Sequence, residues 1–145
     1  MKRPQMLVTL LLLAITACEP IAMIPGGRLS GEVKPIPASW DFADDVETFQ
    51  LETNPDDPHS VNIWGIAVGP AFYIAGKADR QWAQNISKDP RVRLRIGDAL
   101  YELKAVPTAD DEDLTTFAAE AKSKYDLEVD PDQRAEAVLF RLEVR

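Results

Sequence analysis

Residues 60–106 read SVNIWGIAVGPAFYIAGKADRQWAQNISKDPRVRLRIGDALYELKAV, and the fold turns on this stretch. Ser60–Val68 is β-rich. Its later half, Ile63–Val68, is apolar on both faces, which predicts one strand covered on both sides or lying at a subunit interface. Gly65 permits a bend or a close backbone approach there. Gly69-Pro70 turns the chain into a strand beginning Phe72-Tyr73-Ile74-Ala75. A short helix follows, with Asp79 as its N-cap and with Trp82 and Ile86, four apart, on one face. Asp89-Pro90 ends it.

Val92, Leu94 and Ile96 then alternate with Arg91, Arg93 and Arg95, and Gly97-Asp98 is a two-residue hairpin signal. That loop sets Ile96 opposite Ala99, Leu94 opposite Tyr101 and Val92 opposite Leu103 on one face. On the other face it sets Arg93 opposite Glu102 and Arg91 opposite Lys104. A slip of one residue would drive the arginines into the core, so the register is well specified. The arginine row reads as an outward face balanced by carboxylates, in preference to an anion groove or a dimer seam.

The same pattern continues on both sides. Val46–Thr53 alternates as a strand with Phe49 and Leu51 inward, and Asn54-Pro55-Asp56-Asp57-Pro58 is a turn by composition. Asp110–Tyr125 is a helix with Leu114, Phe117, Ala118, Ala121 and Tyr125 in one apolar stripe. Asp126–Gln133 is a polar loop, and Val138–Val144 is a last strand with Val138, Phe140, Leu142 and Val144 inward. Trp40 and Phe42 supply a plug for one face. About six strands and two short helices make a mainly β protein, a small barrel with accessory helices over residues 45–145.

The N-terminus carries an address. Lys2 and Arg3 precede an apolar run, Leu7–Ile15, which is too short to span a bilayer as a mature helix and reads as a secretory leader over residues 1–17. Ile15-Thr16-Ala17-Cys18 resembles the bacterial lipobox, which implies diacylglycerol on Cys18, the sole cysteine, and a mature chain starting there. The expectation is an envelope lipoprotein held at a membrane by its acyl chains and facing the periplasm. Glu19, where Asp would signal retention at the inner membrane, leans towards the outer one. Residues 18–44 are rich in Pro and Gly, so they form a tether and an extended segment.

Composition excludes several functions. The formal net charge of −8 argues against non-specific nucleic-acid binding. One cysteine allows no internal disulfide, and one histidine, His59, allows no histidine-cluster metal site. His59, beside Pro58 in an acidic turn, reads as a lone surface imidazole with no positioned partner. No nucleophile–base arrangement and no Gly-rich phosphate cradle is visible, so the sequence assigns no catalytic residue.

Trp82-Ala83-Gln84-Asn85-Ile86 leading into Asp89-Pro90-Arg91-Val92, with Phe49-x-Leu51-Glu52-Thr53 upstream, resembles the split β-barrel of the pyridoxamine 5′-phosphate oxidase-like superfamily, nearest to its deazaflavin-dependent nitroreductase branch. The resemblance implies a six-stranded, Greek-key-like split barrel, a homodimer, and FMN or a deazaflavin in a groove between subunits. It makes Lys77 and Arg80 the phosphate contacts, against the plainer reading of two solvated cations, and Asn62, Trp64 and Tyr73 the candidates to line a ring-binding cleft, although core or interface packing explains Trp64 equally well. The chain departs from that pattern where Asp56 and Asp57 replace a basic loop, and where the strand Val61–Val68 holds no arginine. Two readings therefore stand: a flavin- or deazaflavin-binding barrel with oxidoreductase activity, or a cofactor-free barrel acting as a binding or scaffold lipoprotein.

Overall fold

A computed structural model describes residues 20–145. The expected leader, Cys18 and Glu19 lie outside the described residues.

Eight strands form one curled sheet: β1 (Glu32–Val33), β2 (Phe49–Thr53), β3 (His59–Ile63), β4 (Gly65–Val68), β5 (Ala71–Lys77), β6 (Arg91–Ile96), β7 (Ala99–Pro107) and β8 (Ala137–Val144). The helices are α1 (Gln81–Lys88), α2 (Asp111–Tyr125) and α3 (Pro131–Arg134). The strand order is β3-β2-β6-β7-β8-β5-β4, all antiparallel, and β1 adds to β7 in parallel. The expected mainly β split barrel is therefore present, with eight strands in place of six. One extra strand is β1. The other arises because the segment expected as one strand breaks at Trp64 into β3 and β4. The third helix, α3, forms in the segment expected as a polar loop, where Asp130 caps it through the Asp132 N–H and Pro131 opens it.

The break at Trp64 explains the curl. β3 and β4 are the two ends of the sheet path, yet only one residue separates them in the chain. The ends must therefore meet, which rolls the sheet into a barrel. Gly65 sits at the seam with no room for a side chain, since a Cβ there would lie 2.7 Å from Phe72 and 3.0 Å from Phe49. β4 pairs with β5 only from Ala71 to Ile74, so the rest of β5, Ala75–Lys77, has no ladder partner on the β3 side. That gap is the split of the barrel.

The hairpin register matches the expectation residue for residue, from Arg91 opposite Lys104 to Ile96 opposite Ala99. Gly97, at φ 59°, takes the turn position that requires a positive φ. Inside the barrel Phe49, Leu51, Phe72, Ile74, Val92, Leu94, Leu103, Phe140 and Leu142 are buried, and each such side chain adds about 1.5–3 kcal/mol. Trp40 plugs this core, edge-on to Phe72 and Tyr101 at 5.4 and 5.0 Å. Phe42 does not share that burial and is half exposed. Trp82 and Ile86 of α1 cover another part of the core. On the outside, α2 buries Ala121 against Ile66, Tyr73 and Leu139.

The arginine row lies on the outer face and meets carboxylates, as expected, but it is largely covered. Arg93 and Arg95 are only 16% and 15% exposed. Residues 26–34 lie across this face with Leu29 buried. Arg93 donates to Glu52 Oε1 and to the Leu29 carbonyl, both at 3.4 Å, and the Leu29 N–H donates to Glu52 Oε2 at 2.6 Å. Glu102, directly opposite Arg93, instead lies 3.9 Å from Arg145. Arg91 alone of the three is well exposed, and it pairs with Asp89 at 2.6 Å.

Candidate functional site

The split opens into a cleft of about 600 Å³ between β3 and the free edge of β5. Four of the five site residues expected from sequence, Asn62, Trp64, Lys77 and Arg80, line it. Each is placed by a local feature. Lys77 ends β5, and the Arg80 N–H returns to the Lys77 carbonyl at 3.1 Å, so one turn holds both cations at the rim. Arg80 is also the N-cap of α1, with an extended backbone. Asp79 was expected at that cap; the helix starts later, so the first turn of α1 gains no carboxylate cap.

Trp64, released from the ladder by the break, is 53% exposed and stacks on Tyr125 with centroids 4.6 Å apart. The Tyr125 hydroxyl donates to the Glu47 carbonyl at 2.7 Å and accepts from the Gly65 N–H at 3.3 Å, which fixes the ring under the indole. Burial pushes the Tyr125 hydroxyl above its ordinary pKa and the Lys124 amine below its own.

Asn62 reaches the cleft but its amide is engaged, donating to the carbonyls of Pro20 at 3.4 Å and Ala22 at 3.0 Å. Residues 22–25 thereby become part of the cleft wall. Tyr73 lies elsewhere. It is buried under α2, and its hydroxyl donates to Asp113 Oδ1 at 2.6 Å. Burial first, and then this hydrogen bond, push its pKa up to about 12.

The electrostatics of the cleft are one-sided. Among the described residues Lys77 and Arg80 are its charged lining residues, and no Asp or Glu lines it. The Asp56 and Asp57 carboxylates, expected to repel an anion, stand in the exposed turn and are not part of the wall. Lys77 lies 3.8 Å from Glu136, with both side chains more than half exposed, a contact worth little.

His59, read from the sequence as a lone surface imidazole, is half-buried in the cleft wall, and its Nδ1 is buried without a hydrogen-bond partner. Its place is set from α1: Gln81 donates to Asn85 Oδ1 at 2.8 Å, Asn85 donates to Thr53 Oγ1 at 3.0 Å, and Thr53 Oγ1 donates to the His59 carbonyl at 3.2 Å. The Trp-x-x-Asn signature thus ties the helix to the cleft. A smaller apolar cavity of about 220 Å³ adjoins, sharing Trp64, Ala75, Gly76 and Lys77 and walled further by Phe117, Tyr125 and Leu127.

No family profile and no curated protein sequence matches the chain. Solved structures do. A conserved hypothetical protein from Mycobacterium tuberculosis is 24% identical, with a TM-score of 0.57 over 72% of this chain and 77% of its own. A candidate pyridoxamine 5′-phosphate oxidase from Listeria innocua is 15% identical, with a TM-score of 0.55 over 70% of this chain and 86% of its own. An F420 reductase is 18% identical, with a TM-score of 0.52 over 76% of this chain and 94% of its own. The chain has the split-barrel fold of the pyridoxamine 5′-phosphate oxidase-like proteins.

Proposed function

We propose that the cleft at the split binds a flavin or a deazaflavin, and that the protein is an oxidoreductase of the cell envelope anchored through lipid on Cys18. The observation that carries the binding proposal is the lining of the cleft: two cations at one rim, a half-exposed indole, and no carboxylate among the described residues. The volume lies within the usual range for cofactor sites. The residues fit the group. Lys77 and Arg80, beside the N-terminus of α1, suit an anionic tail. Trp64 suits stacking on a flat ring. The fold-sharing F420 reductase, named for a deazaflavin, supports the choice of cofactor class.

When bound, such a cofactor supplies hydride transfer. The residues of this chain would hold its tail, orient its ring and screen one side from water with residues 22–25. The adjoining apolar cavity, reached past Trp64, is the place for an apolar substrate. Protein purified gently and scanned from 350 to 500 nm tests the reading. A flavin or deazaflavin band that stays with the protein through gel filtration supports it, and a colourless protein that cannot be reconstituted opposes it. A cofactor-free binding lipoprotein is the second reading; it is favoured by the Asn62 amide, already spent on the N-terminal segment.

A further inference from the structure

We propose that the barrel does not hang from its anchor on a loose tether but seats on the bilayer through the turn Ile21–Ile24 and Trp64, with the mouth of the cleft at the lipid surface. This rests on the lipid-anchor reading of Cys18.

Among the described residues, four of the eight large apolar side chains that stand exposed belong to this one region: Ile21 at 71%, Met23 at 85%, Ile24 at 67% and Trp64 at 53%. Water is a poor neighbour for such a cluster, which marks an interaction surface. The turn is built, not loose. Ile21 and Ile24 exchange backbone hydrogen bonds at 3.1 and 2.8 Å, and Ala22 takes a positive φ of 52° to close it. Asn62 clamps it through the carbonyls of Pro20 and Ala22. Immediately after it, Gly26 and Ser60 exchange backbone hydrogen bonds at 2.8 and 2.9 Å. These contacts fasten the chain to β3 from Pro20 onward.

The occupant follows from how near Cys18 lies to this turn in the chain. Pro20 is two residues from Cys18, a reach of at most about 7 Å. An acyl-bearing Cys18 therefore brings the bilayer to within one side-chain length of a surface already apolar. Trp64 is the residue type that favours the interface, and Lys77 and Arg80 on the same cleft rim suit anionic headgroups. The net charge of −8 opposes adsorption by charge alone, so the acyl chains bring the protein to the membrane and the apolar patch sets its orientation. Met23, Ile24 and Trp64 also line the cleft, so its ligands enter from the headgroup layer.

The test uses the full lipidated protein in phosphatidylethanolamine–phosphatidylglycerol vesicles, with ordinary or brominated acyl chains. Trp40 and Trp82 are buried, which leaves Trp64 as the exposed emitter. Flotation is read on the same samples. The expected result is that the protein floats and that brominated lipid quenches most of the Trp64 emission. Trp64→Phe should remove that difference, and Met23→Ser with Ile24→Ser should reduce it without changing flotation. Protein that floats with unquenched Trp64 overturns the seating and leaves the anchor standing, as does Trp64 shielded by a second copy. Protein that fails to float, in the same way as Cys18→Ser, overturns the anchor reading and this inference with it.

Discussion

The Trp64 indole lies nearly parallel to the Tyr125 ring, with centroids 4.6 Å apart and planes inclined by 7°. The contact joins the C-terminal end of α2 to the residue at which the sheet breaks. It holds the exposed indole in one pose at the junction of the cleft and the smaller apolar cavity. Tyr125→Phe keeps the stack and removes the hydroxyl bonds to Glu47 and Gly65, so it should cost about 1–2 kcal/mol in urea unfolding. Tyr125→Ala should cost about 3 kcal/mol or more and also shift the Trp64 emission to the red, because the indole loses its support.

The buried pair of Glu52 and Arg93 fastens residues 26–34 to the barrel. Glu52→Ala should cost about 3–5 kcal/mol, since it strands Arg93 and the Leu29 N–H together. Glu52→Leu with Arg93→Met should recover much of that loss. Chemical denaturation of the single and the double variant checks both outcomes.

Tyr73 and Asp113 give stability a dependence on pH at both ends of the scale. The Tyr73 pKa, raised to about 12 by burial and by Asp113, exceeds the unfolded value near 10. Its contribution is therefore complete below about pH 10 and is lost as the pH rises towards about 12. Asp113 is shifted the other way. The hydrogen bond from Tyr73, then that from Thr108, hold its carboxyl below the usual range. Its contribution is present above the unfolded value of about 3.9 and fades as the pH falls through the lower folded one. Tyr73→Phe should cost about 1–2 kcal/mol at pH 7, flatten the alkaline limb and weaken the acid one, as read by thermal unfolding across pH.

Gly76 leaves the space that Trp82 fills. A Cβ at residue 76 would lie 2.6 Å from Trp82 Cζ2, and Trp82 is buried. Gly76→Ala should cost about 1–3 kcal/mol by displacing the ring. Because Gly76 and Trp82 both line the cleft, it should also weaken cofactor binding; a thermal melt and a flavin titration on the same sample check the two effects.

What could be read from sequence was local. The hairpin from Arg91 to Lys104 was legible because strict alternation and a two-residue turn leave one register. Trp82 and Ile86 were legible because a four-residue spacing defines one helix face. The partners of the arginines were not, because the segment that covers them lies some 60 residues upstream in the chain: Arg93 meets Leu29 across 64 positions. Gly65 signalled a bend, but the break of the strand at Trp64 was not legible, because it lies inside a continuous apolar run whose hydrophobicity says nothing of curl. For the same reason Lys77, Arg80 and Trp64 could be proposed for one cleft, while Tyr73 was misplaced beside them. The helix that covers Tyr73 and supplies Asp113 begins far downstream.

The most direct measurement is an equilibrium titration of the purified protein with FMN, FAD and a deazaflavin, followed by ligand fluorescence. It is to be run beside a Lys77→Glu, Arg80→Glu double variant that unfolds at the same urea concentration. Saturable binding of at least one of the three, weakened about 10- to 100-fold by the double variant, is the predicted result. Absence of saturable binding by any of them, or binding that the double variant leaves unchanged, contradicts a cofactor held in the cleft by Lys77 and Arg80.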